Sequence, residues 1–314
     1  MDYQVSSQNT TYLRHFVLVV VAVLAVSVSS ILIKVSTAPA GVIGMYRLLF
    51  ASLLLLPVFI RNRQQLPGLS RRDWLLIVVS GTFLGLHFLF WMESLKLTSV
   101  ASSMIVLSLQ PVFVMIGAFF LFSERTHAQG VIAMGIAICG SVIVALGDTG
   151  MAQTSLLGDG LSLLGTVAVS GYMLTGQRVR SAVPSALYNF LVFSVAAGLL
   201  LGFNLTVRVP LLAYSPREWA IFVLLAIIPT LFGHALFNWL LRYFSATLLS
   251  MSILAEPVGA IILAVALLRE PLHLFQVIGG CCTLYGVGMF LWTRRGRHPD
   301  GALAPVSEDD TQCS

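Results

Sequence analysis

Glu256 sits about halfway along a long apolar run, where a carboxylate is costly unless it is paired, hydrated or protonated. Such a group can bind an amine, take up a proton or pair with a histidine. A protonated carboxyl bonded to a neighbour beside Pro257 is the plainer alternative. His87 and His234 lie deep in apolar runs of their own. A side chain that ordinarily titrates near about pH 6.5 suits proton exchange. Trp91 follows His87 by four residues, and Asn238 follows His234 by four. On a helix that spacing places each pair on one face. Phe83 extends the first stripe, while Gln110 and Tyr172 add polar tips in two further runs. An aromatic wall with polar tips suits an amphipathic solute; helix packing or an interfacial position is the competing reading of Trp91. Ser252, one turn before Glu256, can hydrogen-bond toward it. Arg47 is read as structural, its stem snorkelling or its head pairing near a helix end.

These groups need elements to hold them, and the composition says which. Of 314 residues, 57% are hydrophobic and only 10% charged. A soluble domain carries about 25% charged residues. Cytosolic enzymes, coiled coils, disordered chains and nucleic-acid binders are therefore excluded. A bilayer core takes about 20 apolar residues per helix. Ten such segments are read, at 15–35, 41–60, 74–92, 98–122, 127–147, 157–177, 184–205, 217–241, 245–268 and 272–292. The first is too long for a signal peptide and lacks a cleavage site, so it counts as a helix. The fold class is all-α integral membrane. Connections are short, and the polar tail is expected to be disordered.

The formal charge of +5 is not a nucleic-acid signal, because the basic residues sit at the ends of the runs. With the N-terminus inside, the inner regions hold Arg14, Arg61, Arg63, Arg71, Arg72, Arg125, Arg178, Arg180, Arg242, Arg294, Arg295 and Arg297. The outer regions hold Lys34, Lys96, Arg208, Arg217 and Arg269, with Lys34 as an interfacial anchor. That bias expects a multi-pass protein of the cell membrane with both termini cytoplasmic. Cys139, Cys281 and Cys282 read as small core residues, and no cysteine pair has a metal spacing.

A displacement of 146 residues lays the chain on itself. Ser99 falls on Ser245, Pro111 on Pro257, Glu124 on Glu270, His127 on His273 and Gly140 on Gly286. With one residue of slip, His87 falls on His234; Pro39 and Pro184 match at 145. Gln110 is thereby the partner of Glu256, polar but never charged. Five spans per half is an odd number, so the second copy enters the membrane from the opposite side. The expected domains are a first repeat at 1–150, an inverted second repeat at 151–293 and a tail at 294–314. Inverted repeats suit alternating access, with the binding site near the midplane. Pro111 and Pro257 are expected to kink helices 4 and 9 and are candidate hinges. Glu124-Arg125, Arg269-Glu270, His127 and His273 read as groups at helix ends. Gly81 with Gly85, and Gly198 with Gly202, have the GxxxG spacing of close helix contacts.

Several features resemble the drug/metabolite transporter superfamily, in particular its EamA-type ten-helix exporters. They are Leu32-Ile33-Lys34 with Pro39 and Tyr46-Arg47; Ser99-Val100-Ala101, Gln110-Pro111 and Glu124-Arg125; and Ser245-Ala246-Thr247, Glu256-Pro257 and Arg269-Glu270-Pro271. The resemblance covers about residues 12–293. It implies a central cavity lined by helices 1, 3, 4, 6, 8 and 9, and the export of amino acids or related metabolites. Drugs, metallophores and vitamins, exported or taken up, remain alternative cargoes.

No HExxH, GxSxG, P-loop or GxGxxG occurs, so neither catalysis nor ATP-driven pumping by this chain alone is expected. A lipid-modifying membrane enzyme would need polar residues clustered at one membrane face, whereas here they are scattered through the spans. The expectation is a secondary transporter of a small metabolite, without cofactor or metal, in which His87, Trp91, Gln110, Tyr172, His234, Asn238 and Glu256 line the path. Its partners would be the solute, protons and membrane lipids, not nucleic acid, and the chain would be a monomer or homodimer.

Overall fold

A computed structural model describes residues 2–98, 100–147, 155–180, 182–263, 265–266 and 273–295. Among them are ten helices long and apolar enough to cross a bilayer: α1 (Arg14–Ile33), α2 (Ala40–Leu66), α3 (Arg71–Leu97), α4 (Ser102–Phe122), α5 (Ala128–Leu146), α6 (Leu156–Val179), α7 (Ser185–Thr206), α8 (Pro216–Leu240), α9 (Ala246–Leu263) and α10 (Leu274–Thr293). These are the ten segments read from the sequence. Two elements run beyond the sequence reading: the first helix is continuous from Asp2, and α2 runs on as a short 3-10 turn, Arg63–Gly68. The chain is a multi-pass membrane protein. Of the expected disordered tail, Arg294 and Arg295 still belong to the last helix; residues 296–314, Ser99, Arg269-Glu270-Pro271 and the side chain of Lys34 lie outside the described residues.

Local chemistry starts the helices where they start. Ser70 and Asp73 exchange hydrogen bonds as a capping box at the head of α3, so two orphan N–H groups are satisfied. Ser155 and Ser245 cap α6 and α9. Pro216 occupies the first turn of α8, where its missing N–H costs nothing.

The packing obeys the repeat. Exchanging α1 with α6, α2 with α7, α3 with α8, α4 with α9 and α5 with α10 maps the contact of α3 with α6 onto that of α8 with α1. It maps the α2–α7 and α5–α10 contacts onto themselves. In the last pair the backbones nearly touch. A Cβ on Gly140 would collide with Thr283 of α10, and one on Gly286 with Ala137 of α5. Gly81 and Gly85 likewise let α3 lie against Val195, Ala196 and Leu199 of α7. Gly198 and Gly202 meet nothing within 4 Å and belong to no such contact. Nor are the three inner cysteines core residues: Cys139 and Cys281 are exposed and Cys282 only half-buried. In lipid an exposed face is apolar too, so an apolar residue need not point inward.

Three helices are irregular, and prolines explain why. The first half of α4 stops at Leu107, and a second half begins at Gln110. The first half of α9 stops at Ile253, and a second begins at Glu256. Leu107 and Ile253 lie four residues before Pro111 and Pro257, whose rings clash with those carbonyls and offer no N–H. The expected kinks are two-residue interruptions of the α-helical pattern, with each proline in the first turn of the half-helix that follows. In α8, residues Ala226–Ala235 form a π-helix around Pro229. Pro229 cannot donate to the Leu225 carbonyl, and the Thr230 hydroxyl does so instead at 2.7 Å. The i→i+5 pattern fits more residues into each turn. Before it, Ser70 matches Ser215 and Trp74 matches Trp219 at a displacement of 145; at its last turn, His87 matches His234 at 147. The π segment absorbs the two additional residues and keeps the histidines in equivalent places.

Candidate functional site

A cavity of about 60 Å³, room for a few water molecules, lies between the halves. Its walls come from α1, α2, α3, α4, α6, α8 and α9, and end on Leu241 just beyond α8. Six of these helices are the expected ones; α2 is the addition, through Arg47. Helices α5, α7 and α10 contribute nothing to the walls.

All seven residues expected to line the path reach this one cavity. His87 is fixed: its Nδ1 donates to the Gly165 carbonyl of α6 at 3.0 Å, and its ring stacks on Trp91 with centroids 5.8 Å apart. Because a carbonyl only accepts, the proton sits on Nδ1. Trp91 packs where Gly165 lets α6 approach its backbone, and its Nε1 has no hydrogen-bond partner among the described residues. Gln110, at the head of the second half of α4, directs its Nε2 to the Met173 sulfur.

The second half supplies a different set. The Tyr172 hydroxyl donates to Asn238 Oδ1 at 2.9 Å, and Asn238 Nδ2 donates to Asn189 Oδ1 at 2.6 Å. Asn189 Nδ2 in turn reaches the Ala235 carbonyl at the end of the π segment. This chain of amides ties α6, α7 and α8 together. Arg180, just past α6, donates from Nε to the Asn238 carbonyl at 2.9 Å. Burial brings its guanidinium down to about 10, so it stays charged at neutral pH. His234 makes no hydrogen bond among the described residues; it packs edge-on to Phe88 and beside Tyr172.

Glu256 opens the second half of α9 and is partly exposed to the cavity. Its carbonyl accepts from Ser27 at 2.9 Å, which anchors the break to α1. Its carboxylate makes no hydrogen bond and no salt bridge among the described residues. Ser252 does not reach toward it, because its hydroxyl bonds the Leu248 carbonyl of its own helix. Phe83 does not extend the wall either; its ring packs on Gly171 of α6.

Arg47 corrects the sequence reading most. It neither snorkels nor sits at a helix end. It is 1% exposed, lines the cavity, and holds three neighbours. Nε donates to Thr230 at 3.1 Å, Nη1 to Ser29 at 3.2 Å, and the guanidinium lies 4.3 Å over the Phe88 ring. Nη2 has no partner. The sequence did carry a signal: Arg47 and Glu256 are ionisable groups of opposite sign inside separate spans.

Side-chain bonds tie both ends of the bundle. On the face where α1 ends, buried Glu218 of α8 accepts from the Ser36 hydroxyl and from the Thr37 N–H and hydroxyl. Asp159 of α6 accepts there from Thr98 and Ser102. On the face where α1 begins, Glu124 accepts from Ser245, and Gln177 accepts the Ala246 N–H. His127 and His273 lie at helix ends away from the cavity. A second hollow of about 360 Å³ opens on that face between Arg14, His15, Leu18, Leu236, Trp239 and Tyr243.

The EamA-like transporter family matches residues 13–146 and again 156–292. An uncharacterized transporter of Bacillus subtilis, YxxF, is 24% identical over 73% of this chain and 73% of its own. A second from the same organism, YetK, is 24% identical over 84% of this chain and 81% of its own. An uncharacterized transporter of Archaeoglobus fulgidus is 28% identical over 58% and 64%. A solved crystal structure superposes with a TM-score of 0.75 over 91% of this chain and 99% of its own, at 20% identity. That last likeness speaks for the fold.

Proposed function

Given that the chain belongs to the EamA-like transporter family, and is a transporter and not an enzyme, we propose that it exports an amino acid or amino-acid derivative across the cell membrane. The movement is alternating access between the two halves. Both termini face the cytoplasm, in keeping with the excess of basic residues on the face where α1 begins. The breaks at Pro111 and Pro257 are the hinges.

One observation carries this reading. The Glu256 carboxylate, without hydrogen bond or salt bridge among the described residues, faces a cavity whose walls also hold histidine, tryptophan, tyrosine and amide side chains. An intramembrane carboxylate kept in such a place needs a ligand or a proton. Glu256 takes up the ammonium group of the solute or a proton in its stead, and His234, which lines the same cavity, shares the proton traffic. Trp91 and Tyr172 contact the apolar part of the solute. The energy comes from an ion gradient or from the solute's own gradient.

The test is counterflow of labelled amino acids into proteoliposomes at pH 6 and 8, with Glu256→Gln beside the wild type. Saturable exchange that depends on pH and is lost in the variant supports the proposal. Equal exchange by both proteins removes Glu256 from the transport step. No exchange of any amino acid by folded protein overturns the cargo.

A further inference from the structure

We propose that Arg47 is the carboxylate receptor of this cavity, so that the solute is a zwitterion held between Arg47 of the first half and Glu256 of the second. The inference rests on the amino-acid reading above and adds to it the group that reads the other charge.

Three observations converge. Arg47 lines the cavity and is buried, yet only two of its three guanidinium nitrogens are bonded; Nη2 has no partner. The Trp91 indole N–H, in the same cavity wall, is a second buried donor without a partner. The Glu256 carboxylate is an acceptor without one. Native interiors satisfy nearly all buried polar groups, so two buried donors left over beside a half-exposed carboxylate around one cavity are groups that a bound solute can engage. The ligand must bring an acceptor for the guanidinium and a donor for the carboxylate.

Charge narrows the class further. The groups facing the cavity that can carry a charge near neutral pH are Arg47, Glu256, His87 and His234, the Tyr172 phenol being neutral there. With neutral histidines, one cation and one anion remain, and the cavity is neutral overall. Arg47 and Glu256 attract one another across the cavity, but no salt bridge joins them among the described residues, so a solute that carries both charges can engage each. A purely anionic or purely cationic solute would satisfy one and leave the other buried and unpaired, which is strongly unfavourable. A neutral molecule with both charges satisfies both. A planar guanidinium matches a carboxylate in particular.

Arg47 is also well placed to signal occupancy. It belongs to α2, but its Nε holds Thr230 within the π segment of α8 and its Nη1 holds Ser29 of α1. A carboxylate bound to Nη2 therefore acts on a residue that already joins the two halves.

The test uses the full chain in proteoliposomes and needs no variant to begin with. Each labelled amino acid is screened for counterflow. For one that exchanges, unlabelled acid is compared as competitor with its primary amide and its N-acetyl derivative. The expected result is that both derivatives compete at least about tenfold more weakly than the parent, as fits the loss of a charge-assisted hydrogen bond. In Arg47→Gln the preference for acid over amide disappears, and Arg47→Lys restores part of it. An amide that loses less than tenfold in the wild type overturns the role of Arg47, whether or not the variants fold, and leaves amino-acid transport standing. Failure of every amino acid to exchange overturns the cargo, and this inference with it.

Discussion

In the first half the break in α4 is followed by Gln110-Pro111; in the second the break in α9 is followed by Glu256-Pro257. The prolines, the 8-residue first half-helices and the approach to the cavity are the same, and the side chain presented there is not. The contrast recurs along the walls. His87 is bonded to Gly165, whereas His234 has no hydrogen bond among the described residues. Trp91 faces the cavity where the other half has Asn238. At the helix heads, Asp73 closes its own capping box on α3, whereas its counterpart Glu218 reaches across to the turn after α1. The duplicated positions set where the backbone breaks and where helices touch. The positions that diverged carry the charges and hydrogen bonds, and so the chemistry.

The largest effects should fall on what the halves share. Gly140→Leu or Gly286→Leu forces a side chain against backbone in the α5–α10 contact, where even a Cβ collides, and should cost more than the usual overpacking of about 1–3 kcal/mol. Both should lower the yield of monodisperse protein in detergent to a similar degree, while Gly198→Leu, which meets nothing within 4 Å, should leave it unchanged. Loss in only one of the two would break the symmetry of the scaffold.

Smaller effects should separate the halves. Glu218→Ala removes three hydrogen bonds from a buried carboxylate and should cost about 2–3 kcal/mol. Asp73→Ala loses part of an exposed cap and should cost about 1 kcal/mol. Apparent melting temperature in detergent checks the order, and a larger fall for Asp73→Ala would reverse it. Of the histidines, His87→Ala forfeits a hydrogen bond and a stack and should lower the melting temperature, by an amount equivalent to about 1 kcal/mol for the bond. His234→Ala should act on exchange more than on melting. Equal falls in melting temperature would mean that the two are held alike.

Much of this was legible in the sequence. Length and hydropathy were enough for ten spans, because a bilayer allows few alternatives. The repeat was visible through Pro, Glu, His and Gly, which apolar helices do not match by chance. Polar residues within spans found the cavity, since they avoid lipid and have only an interior to face. What escaped depended on partners distant in sequence. Arg47 looked like a snorkelling residue because Thr230 and Ser29 cannot be seen from its own helix. The additional residues before His234 appeared as a slip in the repeat, but only the hydrogen bonds around Pro229 show them as a π segment. The cysteines and Gly198 failed for the converse reason. An apolar residue in a membrane helix does not reveal which way it faces.

The central claim is that the two halves are alike as scaffold and unlike as site. The direct measurement is amino-acid counterflow by Glu256→Gln, by Gln110→Glu, and by the double variant that exchanges the two side chains. The account predicts that Glu256→Gln abolishes exchange and that the double variant does not recover it, because a carboxylate moved to α4 no longer stands where α9 meets Ser27 of α1. Recovery of wild-type exchange in the double variant would contradict it and show the halves to be interchangeable.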